Sequence, residues 1–374
     1  MRVAYTLEQC WHTVPGGTAR AALDVADALV RHHRGEVELV GVSARHGGPP
    51  AAPWQPPIEV RALPLPRLAL YEAWHVLRRP AVQRATGAVD VIHATGVAVP
   101  PASAPLVVTV HDLAYVHDPS QFTAKGRRFF TQALGLLRRD ARLVLCSSQA
   151  TLDDCLAVGL PADRLRLVPL GVRPRPRTAA DTTGTAAADA VRHRYGLRRP
   201  FVLSVGTLEP RKNLPRLLDA FGRLGRDDVE LVLVGATGWH TAIDELVRPL
   251  GDRVRVLGFL PDADRDALYA ACRLFCYPSL FEGFGLPVLE AMSAGAPVVT
   301  SAGTATAEAA GDAALLVDPH DVGAIAAALA KALDDDGLAD ELRAAGLTRA
   351  ATFTWERTAA LTAEAYREAA EGAP

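Results

Sequence analysis

Two glutamates raise the first chemical question. Glu282 and Glu290 lie in "PSLFEGFGLPVLEAMSAGAPVV" (278–299), with seven residues between them. The surrounding residues read as a loop, a fully buried helix and a buried strand. A buried carboxylate is costly unless something answers it. No Lys or Arg occurs between Leu274 and Ala330. A carboxylate accepts two hydrogen bonds from a vicinal diol, so a ligand bearing hydroxyl pairs, a sugar or a ribose, suits both acids. The plain alternative for Glu290 is a cap on a buried amide. Gly283 and Gly285, around Phe284, let the backbone approach a ligand closely.

Upstream stands "VGTLEPRKNLPRLLDAF" (205–221). Arg211 and Lys212 sit in a loop, and Pro215 fits the first turn of the next helix. Two cations beside a helix N-terminus suit a diphosphate; a solvated basic loop is the plain alternative. Gly16 and Gly17, in "VPGGTARAALDVADALV" (14–30), also precede a helix. Backbone can approach a phosphate there, although a simple turn explains the pair equally well. The spacing is neither G-x-G-x-x-G nor a P-loop. His111 closes "PLVVTVH" and precedes Asp112. At a strand's carboxyl end it reads as a site residue, against the bland reading of a satisfied core histidine. His93 in "VIHATG", on the acceptor side, and His117 in "YVHDPSQFT" are lesser candidates.

These residues need a scaffold that brings loops together. Short apolar runs alternate with amphipathic helices along the whole chain. Strands are expected at "RVAYT", "VELVGV", "IEVRAL", "VDVIHA", "PLVVTVH", "RLVLCS" and "RLRLVPL" in the first half. A second series follows: "FVLSV", "VELVLVG", "VRVLGF", "LFCYPS", "APVVTS" and "AALLVD". Helices are expected between them, for instance over 18–33 and 148–158. "RPRPRTAADTTGTAAADAVRHRY" (173–195) lacks apolar periodicity and reads as a linker. The expected division is a first domain over 1–172, a linker over 173–199, a second domain over 200–354, and a helix over 355–374 that packs back at the domain junction. Two β/α series argue an α/β chain of two doubly wound, Rossmann-like parallel-sheet domains. Such sheets bind ligands beyond the carboxyl ends of their strands, where the named loops lie.

Composition narrows the alternatives. The 374 residues are 49% hydrophobic and 22% charged, with a net charge of -2, so nothing favours nucleic acid as a partner. The halves differ: 18 basic and 14 acidic side chains up to residue 172, against 22 and 28 beyond. No signal peptide and no run of about 18 apolar residues is evident, which points to a cytoplasmic protein. The five cysteines form no metal-type double pair and read as buried thiols in a reducing compartment. "DAD" (262–264) opens a helix; Asp262 reads as its N-cap rather than a metal ligand, with Asp266 in the first turns. No metal is expected. "FTAKGRRFFTQALGLLRRDAR" (122–142) mixes Lys125, Arg127, Arg128, Arg138 and Arg139 with Phe122, Phe129 and Phe130. Such a helix can lie on an anionic membrane surface, although an ordinary domain helix with snorkelling arginines has the same composition.

Together the motifs resemble the retaining glycosyltransferases of the GT-B fold, family four, also called group one. The resemblance rests on "VGTLEPRKN", "VLGFLPDADRDALYAACRLFCYPS", "EGFGLPVLEAM" and "GDAALLVDP", strongest over 200–330. The first half is similar more loosely, through Gly16-Gly17, "VTVHDL", "SSQATLDD" and "VPLGV". The resemblance implies two domains facing a cleft, the donor in the second and the acceptor in the first. It implies that Gly16 and Gly17 meet the donor's distal phosphate, and that Arg211 and Lys212 bind its diphosphate. It assigns the ribose to Glu290, the transferred sugar to Glu282, and the sugar's reactive face to His111. Phe259, Gly283, Phe284 and Gly285 complete the donor-binding set. One departure is visible: "SAGTATAEAAGDAA" (301–314) keeps Glu308 but lacks the family's Leu-Pro-Glu turn.

The expected activity is metal-independent transfer of a mannose- or glucose-type hexose, with retention, from GDP- or UDP-hexose. The nucleotide-sugar is a substrate, and no cofactor is implied. The acceptor is a glycan, a lipid-linked or a small-molecule hydroxyl, with peripheral contact at the inner membrane surface through the first domain. Two alternatives stay open: an epimerase or hydrolase of the same fold, and a non-catalytic nucleotide-sugar-binding protein.

Overall fold

The computed structural model describes residues 1–173, 182–236, 238 and 243–371. Thirteen strands form two parallel sheets. The first series is β1 (Arg2–Thr6), β2 (Glu38–Ser43), β3 (Val60–Ala62), β4 (Val91–Ala94), β5 (Leu106–Val110), β6 (Leu143–Cys146) and β7 (Leu165–Leu167). The second is β8 (Phe201–Val205), β9 (Glu230–Val234), β10 (Val254–Gly258), β11 (Leu274–Tyr277), β12 (Val298–Ser301) and β13 (Leu315–Val317). Every expected strand is present. The inner strands are buried on both faces, as a parallel sheet covered by helices requires, while the edge strands β3, β7, β10 and β13 are partly exposed.

The sheet orders are β3-β2-β1-β4-β5-β6-β7 and β10-β9-β8-β11-β12-β13. Each is doubly wound. The connections reverse direction between β1 and β4 in the first sheet, and between β8 and β11 in the second. The loops leaving those strands flank the crevice where such folds bind ligands.

The chain divides into two compact units: Met1–Gly171 with Thr354–Pro374, and Val172–Phe353. In the first unit alternate β1 residues feed opposite faces of the sheet. Ala4 packs with Val42, Ile92 and Val108. Val3 and Tyr5 pack with Val91 and Val107, and with Ala359, Ala363 and Tyr366 of the last helix, Trp355–Glu371. The C-terminal segment is therefore a layer of the first unit's core.

The expected linker over 173–199 is corrected in part. Residues 174–181 lie outside the described ones, but Thr182–Arg194 is helical, and Val191 and Leu197 are buried. This helix packs against Asp262–Ala271. Alanine and arginine favour a helix without needing a broad apolar stripe, so periodicity did not reveal it. Among the described residues, no helix is long and apolar enough to cross a membrane. The basic-aromatic segment is the helix Ala124–Asp140; its Leu134, Leu136 and Leu137 face inward while Lys125, Arg127 and Arg128 are exposed.

Candidate active site

The second sheet's switch point brings the cations to the acids. After β8 the chain makes a short turn over Pro210–Lys212, and Asn213 adopts a left-handed conformation, φ 60°. The Asn213 side-chain amide donates to the carbonyls of Pro278 (3.0 Å) and Pro319 (2.6 Å), tying this turn to the loop after β11. Pro215 then starts the helix Leu214–Arg223. After β11, Gly285 turns the chain into the helix Leu286–Ser293 at φ 100°. A β-carbon at Gly285 would lie 3.1 Å from Thr306 Cα, so the turn demands glycine twice, by conformation and by space.

Glu282 is the hub. Arg211 Nη1 donates to its Oε2 at 2.7 Å, and Lys212 Nζ to its Oε1 at 2.5 Å. Tyr277 and Ser279 hydroxyls donate to the same Oε1 at 2.9 and 2.7 Å. Lys212 also donates to the Tyr277 hydroxyl at 2.5 Å, and Arg211 pairs with the buried Glu209. Lys212 and Glu282 are both buried, 7% exposed. Burial pushes the Glu282 carboxyl up, but the Arg211 and Lys212 charges and its hydrogen bonds outweigh that and hold it at about 2. Burial lowers the Lys212 ammonium from its usual value, helped by Arg211 and opposed by Glu282 and Glu209. Burial also raises the Tyr277 phenol well above its usual value, which keeps it a hydrogen-bond donor.

Glu290 lies further along, in the helix. Its Oε2 accepts from the Tyr269 hydroxyl at 3.0 Å, and Arg265 Nη2 is 3.8 Å from its Oε1. Burial lowers Arg265, but Glu290 and its other anionic neighbours raise it further, so it stays charged.

These partners correct the reading that the two acids lack cations. The absence of Lys and Arg over 274–330 is real, but parallel pairing of β8 with β11 imports Arg211 and Lys212 from about 70 residues away. The helix before β11 supplies Arg265 and Tyr269 to Glu290. Sequence reasoning missed Tyr277, Ser279, Asn213, Arg265 and Tyr269. Tyr277 and Ser279 flank Pro278 just before Glu282, and Asn213 follows the cation pair, so adjacency was the available signal.

The other donor-side residues are placed variously. Phe259 follows β10 and is 62% exposed. Phe284 is buried and meets Phe353 edge-on, 5.9 Å between centroids, so it packs the core of the second unit. Thr304, in the segment that lacks the family's Leu-Pro-Glu turn, caps the helix Ala305–Ala310 by accepting from the Thr306 amide. Asp262 is the first residue of its helix, with Pro261 at the N-cap, which corrects the capping assignment. Asp262 pairs with Arg265, and Asp264 with Arg194 and Tyr195.

In the first unit, Gly16 opens the helix Gly16–His32 at φ 66°, and a β-carbon on Gly17 would meet nothing within 4 Å. His111 follows β5. Its Nε2–H donates to the Thr95 carbonyl at 3.1 Å, leaving Nδ1 as the acceptor. Burial lowers its pKa, so the ring is neutral near pH 7. His93 is not available to a ligand. It is 2% exposed and bonded to the Tyr366 hydroxyl (2.6 Å) and Thr109 (2.8 Å), with burial and the nearby His111 holding it at about 3. His117 pairs with Asp154 at 2.8 Å. Among the aromatics of the basic helix, Phe129 stacks on His75 and Phe130 on Tyr115, so these rings pack rather than project.

Two doubly wound parallel-sheet units with this switch-point cluster define the GT-B fold class. Residues 189–349 match the family of glycosyl transferases group 1, and residues 15–175 match glycosyltransferase family 4. The O-antigen chain mannosyltransferase B of Escherichia coli is 36% identical over 274 residues, 70% of each chain. A D-inositol 3-phosphate glycosyltransferase of Xylanimonas cellulosilytica is 31% identical over 96% of this chain and 93% of its own. The Anabaena protein HepE, solved in complex with UDP and glucose, superposes with a TM-score of 0.76 at 21% identity, over 98% of this chain and all of its own (100%). The chain belongs to the group 1 glycosyltransferases.

Proposed function

We propose that the chain transfers a mannose- or glucose-type hexose from a nucleotide-diphosphate donor to an acceptor hydroxyl, with retention and without a metal. The observation that carries this reading is the buried Arg211–Lys212–Glu282 cluster at the β8/β11 switch point. Departure of the nucleotide diphosphate concentrates negative charge on its distal phosphate. Arg211 and Lys212 are already fixed by Glu282, Glu209 and Tyr277, so stabilising that charge requires little reorganisation. The leaving phosphate oxygen takes the acceptor's proton on the same face. The bond from the anomeric carbon to phosphate breaks as its bond to the acceptor oxygen forms. Within the first unit, His111 keeps Nδ1 as an acceptor and the space beside Gly17 is open at its backbone. A mannose-type hexose is supported by the name of the Escherichia coli relative, and a UDP-type donor by the ligands of HepE. A lipid-linked acceptor is supported by exposed Lys125, Arg127 and Arg128, which would face anionic headgroups in the cytoplasm-facing leaflet.

The test is incubation with UDP- and GDP-hexoses alone, then with an acceptor panel. Acceptor-dependent glycoside formation is expected. Donor conversion that ignores acceptors would favour an epimerase or hydrolase, and binding without turnover a non-catalytic protein. Turnover should survive EDTA, because Arg211 and Lys212 supply the charge a metal would bring. Loss of activity in EDTA with recovery on magnesium or manganese would contradict this mechanism.

Glu290 is assigned to the ribose, which does not change during reaction. Tyr269 on one oxygen and Arg265 near the other fix the Glu290 carboxylate on its helix. Glu290→Ala should therefore raise the donor KM by about tenfold or more while kcat changes little. Steady-state kinetics at varied donor check this, and a kcat defect alone would remove the ribose assignment.

A further inference from the structure

The first unit carries a cavity of about 680 Å³ that none of the assigned residues explains. Its walls come from the turn after β1, from the loop after β2, and from the β3 edge of the sheet. Trp11 and His46 line it, their rings stacked 4.8 Å apart at 8°. The indole N–H of Trp11 donates to the Gly48 carbonyl at 2.9 Å, fixing the ring against the rim. Behind this wall lies the Glu8 carboxylate, 3% exposed. Its Oε2 accepts from the Ala44 amide at 2.6 Å and from His46 Nε2–H at 3.0 Å. Its Oε1 is buried without a hydrogen-bond partner among the described residues.

The chemistry of the walls selects a ligand class. No Lys or Arg lines the cavity, and a carboxylate sits behind it, so a phosphate or carboxylate ligand is disfavoured. With Nε2–H committed to Glu8, His46 leaves Nδ1 to meet a hydroxyl. The aromatic pair offers the flat apolar surface on which a sugar ring lays its C–H face. The volume lies within the usual range for ligand pockets, roughly 300–1,000 Å³.

We infer that this cavity binds a neutral hexose unit of the acceptor, with Trp11 as the platform and the Glu8–His46 pair as the hydroxyl reader. Only the word acceptor rests on the hexosyltransferase reading; the sugar binding stands by itself. The test uses α-mannobiose and maltose as probes, with saturation-transfer NMR on the full chain. Wild type is expected to bind at least one of them. Trp11→Leu and His46→Gln should weaken that binding about tenfold or more, while UDP or GDP still raises the melting temperature of both variants. Gln55→Trp, on the exposed rim, guards against a folding artefact: it fills the cavity from outside the core and should block the same probe. Failure of both disaccharides to bind wild type, or equal binding by Gln55→Trp and wild type, would overturn the inference. Disaccharide binding without nucleotide-sugar turnover would leave the cavity standing and remove the transferase reading instead.

Discussion

Lys212→Ala is expected to lower kcat by roughly 10²–10³ while donor KM moves much less. The magnitude is that of removing one preorganised donor from a developing anion, about 3–4 kcal/mol. The structure argues that this loss is chemical rather than architectural. Without Lys212, Glu282 still holds Arg211, Tyr277 and Ser279, so its carboxylate is not stranded. Tyr277 keeps Glu282 as its acceptor. Lys212→Arg should not restore the rate, because a buried ammonium held by two oxygens leaves no room for a planar fork. Kinetics at saturating donor, with the melting temperature as a folding control, make the measurement. A large rise in KM at unchanged kcat would place Lys212 on a part of the donor that carries no new charge.

Glu282→Ala is expected to act first on stability, by about 3–5 kcal/mol, because it strands Lys212 and part of Arg211 as buried, uncompensated cations. Glu282→Gln, which keeps the shape, should cost less. The pH dependence follows from the depressed carboxyl. The group titrates at about 2 in the folded chain against an ordinary 4.5. Its contribution is therefore complete above about pH 4.5 and is lost as pH falls toward 2. Urea denaturation at pH 7 and pH 3 should show the gap between wild type and Glu282→Gln narrowing at the lower pH. A gap that is constant would mean that the ion pairs do not hold the carboxylate. Activity of the folded Gln variant should fall in both kcat and apparent donor affinity, since Glu282 fixes the Arg211 and Lys212 charges proposed to meet the diphosphate.

The strands were legible because β-branched runs bounded by turn residues leave few other structures open. The Arg211, Lys212 and Glu282 cluster was legible as loop residues, since these follow β8 and β11, whereas Glu290 lies within the helix Leu286–Ser293. What sequence could not show was partnership. Glu282 looked cation-free because its cations belong to β8, and only the sheet order makes β8 a neighbour of β11. Arg265 stands between Asp264 and Asp266 in sequence, yet its guanidinium also lies 3.8 Å from Glu290. His93 lies within β4, near its carboxyl end, and His111 directly follows β5. The difference is Tyr366, 273 residues away, which closes over His93 and makes it structural. The helix Thr182–Arg194 was hidden by its weak apolar patterning, and the Trp11–His46 stack joins two loops with no shared motif.

The central claim is retained-configuration transfer from a nucleotide-sugar, and the anomeric outcome tests it most directly. With GDP-α-mannose or UDP-α-glucose as donor and the acceptor that turns over, the one-bond C1–H1 coupling of the first-formed glycoside, read by NMR, reports its anomeric configuration. The account predicts an α-linked product, formed at the same rate in EDTA and roughly 10²–10³ more slowly when Lys212 is alanine. A β-linked product would contradict same-face transfer by the leaving phosphate.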